Sequence, residues 1–70
     1  MKDRVRIGSL IHRNRAALKQ ADECLAEIAE VMPRAGGATR RRLRQVGREV
    51  RRTQLGLRLV GWVLRLLDTR

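Results

Sequence analysis

The chain has few side chains that could act as a nucleophile, a base or a metal ligand. His12 is its single histidine and Cys24 its single cysteine, and neither belongs to a CxxC or HExxH motif. A nucleophilic cysteine needs a base within hydrogen-bond reach, whereas these two residues are about three turns apart in the helix predicted for this region. A zinc site takes about four ligands. We therefore expect no catalytic residue, no metal site, no cofactor and no small-molecule substrate.

Arginine dominates the charged residues, and its guanidinium group binds phosphates and carboxylates in a bidentate manner. The chain carries 17 basic and 7 acidic side chains, for a net charge of +10. Our candidate nucleic-acid site is the arginine cluster at residues 40–52, formed by Arg40, Arg41, Arg44, Arg48, Arg51 and Arg52. Such a cluster binds phosphate backbones without reading bases. The sequence has no Phe or Tyr that would stack on single-stranded bases.

These residues must be positioned by two helices, because a single break divides the sequence. Pro33 cannot continue a helix, and Gly36 and Gly37 permit a positive φ for a tight reversal. We predict an all-α fold with one domain over residues 1–70: helix 1 at about 4–32, a turn at 33–39 and helix 2 at about 40–67. Thr39 is the predicted N-cap of helix 2. A short connection favours an antiparallel hairpin.

Each predicted helix carries an apolar stripe with 3-4 spacing, the pattern of a packing seam. In helix 1 the stripe is interrupted only by Asn14, which either sets the register of the packing, pairs across a dimer or lies at a solvated end of the seam; its apolar members are Ile7, Ile11, Leu18, Ala21, Leu25, Ile28 and Met32. In helix 2 the predicted seam is Leu43, Val46, Val50, Thr53, Leu57, Val60, Leu64 and Leu67. Leu10, Ala17, Cys24 and Val31 widen the first stripe, so Cys24 is expected to be a small core residue.

The charge distribution also favours a hairpin. Helix 1 ends with the acidic residues Asp22, Glu23, Glu27 and Glu30, and helix 2 begins with the basic residues Arg40, Arg41, Arg42 and Arg44. Each group opposes the dipole of its own helix. We expect the hairpin to bring the two groups together. The arginines then either meet only these acids or bind phosphate or an acidic protein.

Helix 2 has a second apolar face, which a simple hairpin would leave exposed to water. Leu55, Leu59, Trp62 and Leu66 lie opposite the predicted seam and are flanked by Arg58 and Arg65. Trp and Arg are enriched at the energetic centres of protein interfaces. These six residues are our candidate partner-binding site. The apolar four could also complete the core of a self-associated bundle.

Three glycines lie inside helix 2, where each costs about 1 kcal/mol relative to alanine. Gly61, beside Trp62, is interpreted as a point of close helix approach. Gly47 is interpreted as a tolerated substitution.

From these features we predict a non-enzymatic protein-interaction module, such as an adaptor, an inhibitor or a regulatory subunit. A chain of 70 residues without a disulfide is only marginally stable alone, so we expect a homodimer that forms a four-helix bundle. The alternatives are a sequence-nonspecific nucleic-acid-binding protein and a peripheral membrane-surface protein. A short N-terminal apolar run and a lone cysteine favour a cytoplasmic location.

Overall fold

The computed structural model describes residues 2–69 of the chain, with side chains from Arg4 onward. It contains two long helices, α1 (Lys2–Val31) and α2 (Gly37–Asp68), separated by a short 3-10 turn at Met32–Arg34. No strand occurs over these residues. The predicted all-helical class is therefore confirmed.

The connection between the helices reverses the chain without any residue at positive φ in the described segment. Pro33 lies in the 3-10 turn that ends α1, as expected from its missing N–H group. Ala35 and Gly36 are then extended, and the Gly36 carbonyl accepts a 2.8 Å hydrogen bond from the Arg40 N–H. Gly36 is consequently the N-cap, and the prediction of Thr39 as N-cap was wrong. Because two extended residues complete the reversal, α2 begins inside the segment predicted as turn.

The two helices pack side by side in opposite directions. From the open end of the hairpin toward the turn, Asn14 contacts Leu57, Asp22 contacts Gln54, and Ile28 and Leu43 line the same groove. The result is a rod of 53 × 14 × 13 Å. Almost every residue of such a rod is close to solvent. No described side chain is fully buried, and Leu64 is the only buried hydrophobic residue among them.

The seam of α1 is the predicted one, and Asn14 is buried within it. The seam of α2 is rotated relative to the prediction. Its buried and half-buried members are Arg40, Leu43, Gly47, Val50, Gln54, Leu57, Gly61 and Leu64. Four residues assigned to the seam from the sequence are exposed instead: Val46, Thr53, Val60 and Leu67. The rotation places two glycines and a glutamine against α1, where Gly61 meets Asn14 and Gln54 meets Asp22.

Candidate interaction surfaces

A contact between Asn14 and Gly61 fixes how the two helices meet. Asn14 is only 8% exposed, and its Nδ2 donates a 2.8 Å hydrogen bond to the Leu57 carbonyl oxygen of α2. A Cβ atom at Gly61 would lie 2.7 Å from the Asn14 Oδ1. The absence of a side chain at Gly61 thus admits the Asn14 amide. This contact contradicts the interpretation of Asn14 as a solvated seam end and agrees with close helix approach at Gly61.

A second polar contact crosses the seam between Gln54 and Asp22. The buried Gln54 donates from Nε2 to the Asp22 carboxylate. Gln54 was not assigned to the seam, because Thr53, which has equivalent spacing to Val50 and Leu57, was assigned there instead. Together with Asn14, it makes two of the three buried side chains of the described chain polar. The observed rotation of α2 thus brings Gln54 and Gly61, rather than Thr53 and Val60, against polar side chains of α1.

The acidic end of α1 and the arginine cluster of α2 lie at the same end of the rod, beside the turn. Asp22 accepts its cross-helix hydrogen bond from Gln54, and the Nε of Arg40 is buried without a hydrogen-bond partner in the described structure. Electrostatic pairing of the two groups remains a prediction. The other five arginines of the candidate nucleic-acid site are exposed: Arg41, Arg44, Arg48, Arg51 and Arg52.

The candidate partner-binding residues form what we call the outer face of α2: Leu55, Leu59, Trp62 and Leu66. Leu55, Leu59 and Trp62 are 63%, 65% and 61% exposed, because the seam lies on the other side of the helix. Arg58 and Arg65 are exposed at its edge. Four large apolar side chains on one helix face form a contiguous surface of the kind that proteins normally cover.

The edge of the outer face opens into a groove between the helices. Asn14, Leu18, Gly61 and Trp62 line this groove of about 260 Å³, together with Arg58 and Arg65. An indole bordered by two guanidinium groups offers apolar area and two bidentate donors in one place. A bound group with an apolar body and a carboxylate would use both.

A larger groove lies on the same side of the rod, nearer the turn. Its volume is about 500 Å³, its apolar wall includes Leu25, Ile28 and Leu43, and Gly47 forms part of its floor. Arg44, Arg48 and Arg51 border it. We call this side of the rod the arginine side. The seven-residue row Arg44, Arg51, Arg58 and Arg65 runs along it.

The opposite side of the rod, which we call the lateral face, is mainly apolar and contains residues from both helices, with Arg13 and Glu49 among the residues that line its grooves. Sequence analysis missed it, because it assigned the α2 residues of this face to the seam. Two grooves that share Ala17 and Leu57 connect the two helices there. Along α1 the face consists of Leu10, Ala17, Cys24 and Val31, and along α2 of Val46, Thr53, Val60 and Leu67. The seven-residue spacing of both rows is the signal in the sequence that could have revealed it.

The residues considered for catalysis or metal binding are separate. Cys24 is half-buried with a free thiol, and His12 is exposed. Among the described residues, no three His, Cys, Asp or Glu side chains come together as metal ligands would. Over the same residues, neither helix contains a stretch that is long and apolar enough to cross a bilayer.

Comparison of the chain with protein-family models, with curated proteins and with solved structures gave no match.

Proposed function

We propose that this chain is a small protein-interaction module that self-associates and binds a protein partner through the outer face of α2. The observation that carries the proposal is the exposure of Leu55, Leu59 and Trp62 on a helix whose other side already packs on α1. Fully burying a side chain of this size contributes roughly 1.5–3 kcal/mol. An adaptor, an inhibitor or a regulatory subunit would have this kind of surface.

The chemistry of the partner follows from the edge of the outer face. Arg58 and Arg65 border the indole of Trp62, so the complementary surface is apolar with carboxylates at its rim. The net charge of +10 also favours an acidic partner by accelerating encounter.

Self-association is the second part of the proposal. A rod with Leu64 as its only buried hydrophobic residue in the described segment gains little stability from its own core. A homodimer that forms a four-helix bundle would bury a further apolar face. The closed two-fold arrangement is the simplest that the chain could adopt.

Trp62→Ala tests partner binding. We expect the loss of the indole to weaken the complex by at least about 2 kcal/mol, roughly 30-fold in Kd. The partner would be recovered by affinity capture with mass spectrometry, and its Kd for each variant measured by isothermal titration calorimetry. Val5→Ala is the matched control, because Val5 is 76% exposed but lies on α1, away from the outer face. Equal affinities of wild type and Trp62→Ala for every captured protein would refute this use of the outer face.

The exposure of five arginines of the cluster favours nucleic-acid binding as a second candidate function. Binding of this kind neutralises phosphates and weakens steeply with salt. We would expect retardation of both DNA and RNA duplexes at low ionic strength, lost at moderate salt and in Arg48→Gln/Arg51→Gln. Absence of retardation at low ionic strength would eliminate this function.

A peripheral membrane role is the third candidate, since the outer face combines Trp62 with flanking arginines as interfacial helices do. Anionic vesicles should then shift the Trp62 emission to shorter wavelength. An unchanged spectrum would exclude it.

A further inference from the structure

The lateral face carries two uncharged rows of side chains. Charged residues make up 34% of the chain, and of these Arg13 and Glu49 line the grooves of the lateral face beside the two rows. The α1 row is Leu10, Ala17, Cys24 and Val31, and the α2 row is Val46, Thr53, Val60 and Leu67. The arginine side, by contrast, carries exposed guanidinium groups, and so does the part of α2 before Leu55, with Arg41, Arg48 and Arg52.

We infer that the lateral face is the surface on which a second copy of this chain docks. The inference rests on the proposed self-association and assigns it to one face. Two copies with a net charge of +10 repel each other. Contact through the uncharged rows keeps both arginine rows on the far sides of the assembly, where water and salt screen them. Contact through the arginine side would bring like charges together.

The size of the face suits a dimer. One side of the rod measures 53 by 14 Å, which is comparable to the roughly 800 Å² per partner of a standard interface. Leu10, Val46, Val60 and Leu67 are each about half exposed in the single hairpin, so each has apolar surface still to bury.

The shape of the face suits a helical bundle. Ala17 and Cys24 are small and line a groove of about 490 Å³ between the helices, and Ala17 also lines a second groove of about 320 Å³. Larger side chains, Val46 and Val60, stand beside these grooves. Under two-fold symmetry, the large residues of one copy meet the small-residue grooves of the other, as in knobs-into-holes packing. The outer face stays open for a different protein.

Val60→Arg and Leu59→Arg form a matched pair that tests this assignment. The two residues are adjacent, exposed and apolar, and the variants have the same net charge, but Val60 lies on the lateral face and Leu59 on the outer face. By sedimentation equilibrium we expect a dimer for wild type and Leu59→Arg, and at least a hundredfold weaker dimerisation for Val60→Arg. Circular dichroism would check that each variant is helical.

The possible outcomes distinguish a wrong docking face from a failure of the proposed self-association. If Leu59→Arg abolishes the dimer and Val60→Arg retains it, the second copy does not dock on the lateral face, although the chain still self-associates. A wild type that remains monomeric at 100 µM, a concentration chosen to be about a hundred times a micromolar Kd, would overturn both.

A second measurement uses the wild type and does not depend on whether Val60→Arg folds. Cys24 lies in the lateral row, so docking of a second copy should shield its thiol. We expect the rate of its reaction with N-ethylmaleimide to fall several-fold as protein concentration rises through the dimerisation range. A rate that does not change across that range would contradict the proposal.

Discussion

At the scale of single residues, the Asn14 amide and the missing side chain of Gly61 act as one unit. The amide occupies the space that a Cβ would take, and its Nδ2 donates to the backbone of α2. A buried amide without a partner costs about 1–3 kcal/mol. The pair therefore specifies one axial position of α1 against α2.

Substitution of the glycines by alanine should have opposite effects at two equivalent positions. A Cβ at Gly47 meets no atom within 4 Å, whereas a Cβ at Gly61 meets Asn14. We expect Gly47→Ala to raise the free energy of unfolding by about 1 kcal/mol through helix propensity. We expect Gly61→Ala to lower it by about 1 kcal/mol, because displacement of Asn14 breaks its hydrogen bond. Urea unfolding followed by circular dichroism measures both changes.

Gly56→Ala is the control for helix propensity, since Gly56 also has open space around it. If Gly61→Ala stabilised the protein as much as Gly56→Ala, the close contact would not exist. The double variant Asn14→Ala/Gly61→Ala should be more stable than the sum of the single changes implies, because the clash disappears with the amide.

At the scale of the helices, the sequence predicted the elements better than their rotation. The proline and glycines of the turn predict the break at Pro33 and the two helices that it separates. The 3-4 spacing of apolar residues predicts the α1 seam. In α2, Leu43, Val50, Leu57 and Leu64 were assigned to the seam, and the structure places them there. The alternate positions were wrong, because Val46 and Val60 are more hydrophobic than Gly47 and Gly61. The hydrophobicity of a position in α2 does not indicate whether that position faces a polar side chain of α1.

The rotation of α2 can be tested with two neighbouring residues. Gln54 is buried and donates to Asp22, whereas Thr53 is exposed and its hydroxyl donates to the Glu49 carbonyl of its own helix. We expect Gln54→Ala to lower the free energy of unfolding by about 1 kcal/mol. Thr53→Ala should change it by no more than about 0.5 kcal/mol. Thermal unfolding of the two variants measures the difference, and the reverse order of stability would favour the seam predicted from sequence.

The exposure of the outer face, in contrast, could be predicted from the sequence. Its four apolar residues follow helical spacing and lie outside any seam that a single partner helix could cover. The lateral face could not be predicted from the sequence alone, because the hydrophobicity of its α2 residues is also typical of a buried seam. The structure shows that these residues are exposed.

At the scale of the whole molecule, the net charge of +10 opposes the association of identical copies. Salt screens this repulsion, and the Debye length shortens from about 10 Å at 0.1 M to about 3 Å at 1 M. We therefore expect the dimer Kd to decrease several-fold between 50 and 500 mM NaCl, as measured by sedimentation equilibrium. Binding of nucleic acid would respond in the opposite direction. A dimer that weakens with salt would indicate that ion pairs, rather than apolar surface, hold it together.

The thin core of the rod has a consequence for the life of the protein inside a cell. With no described side chain fully buried, local opening of a solitary hairpin requires little free energy, and its backbone amides should exchange quickly with deuterium. Each opening exposes an unfolded segment that contains many arginines, and proteases that cleave after arginine can then cut it. Copies that find no complex should therefore be degraded first, so that the abundance of this protein follows the supply of whatever it joins.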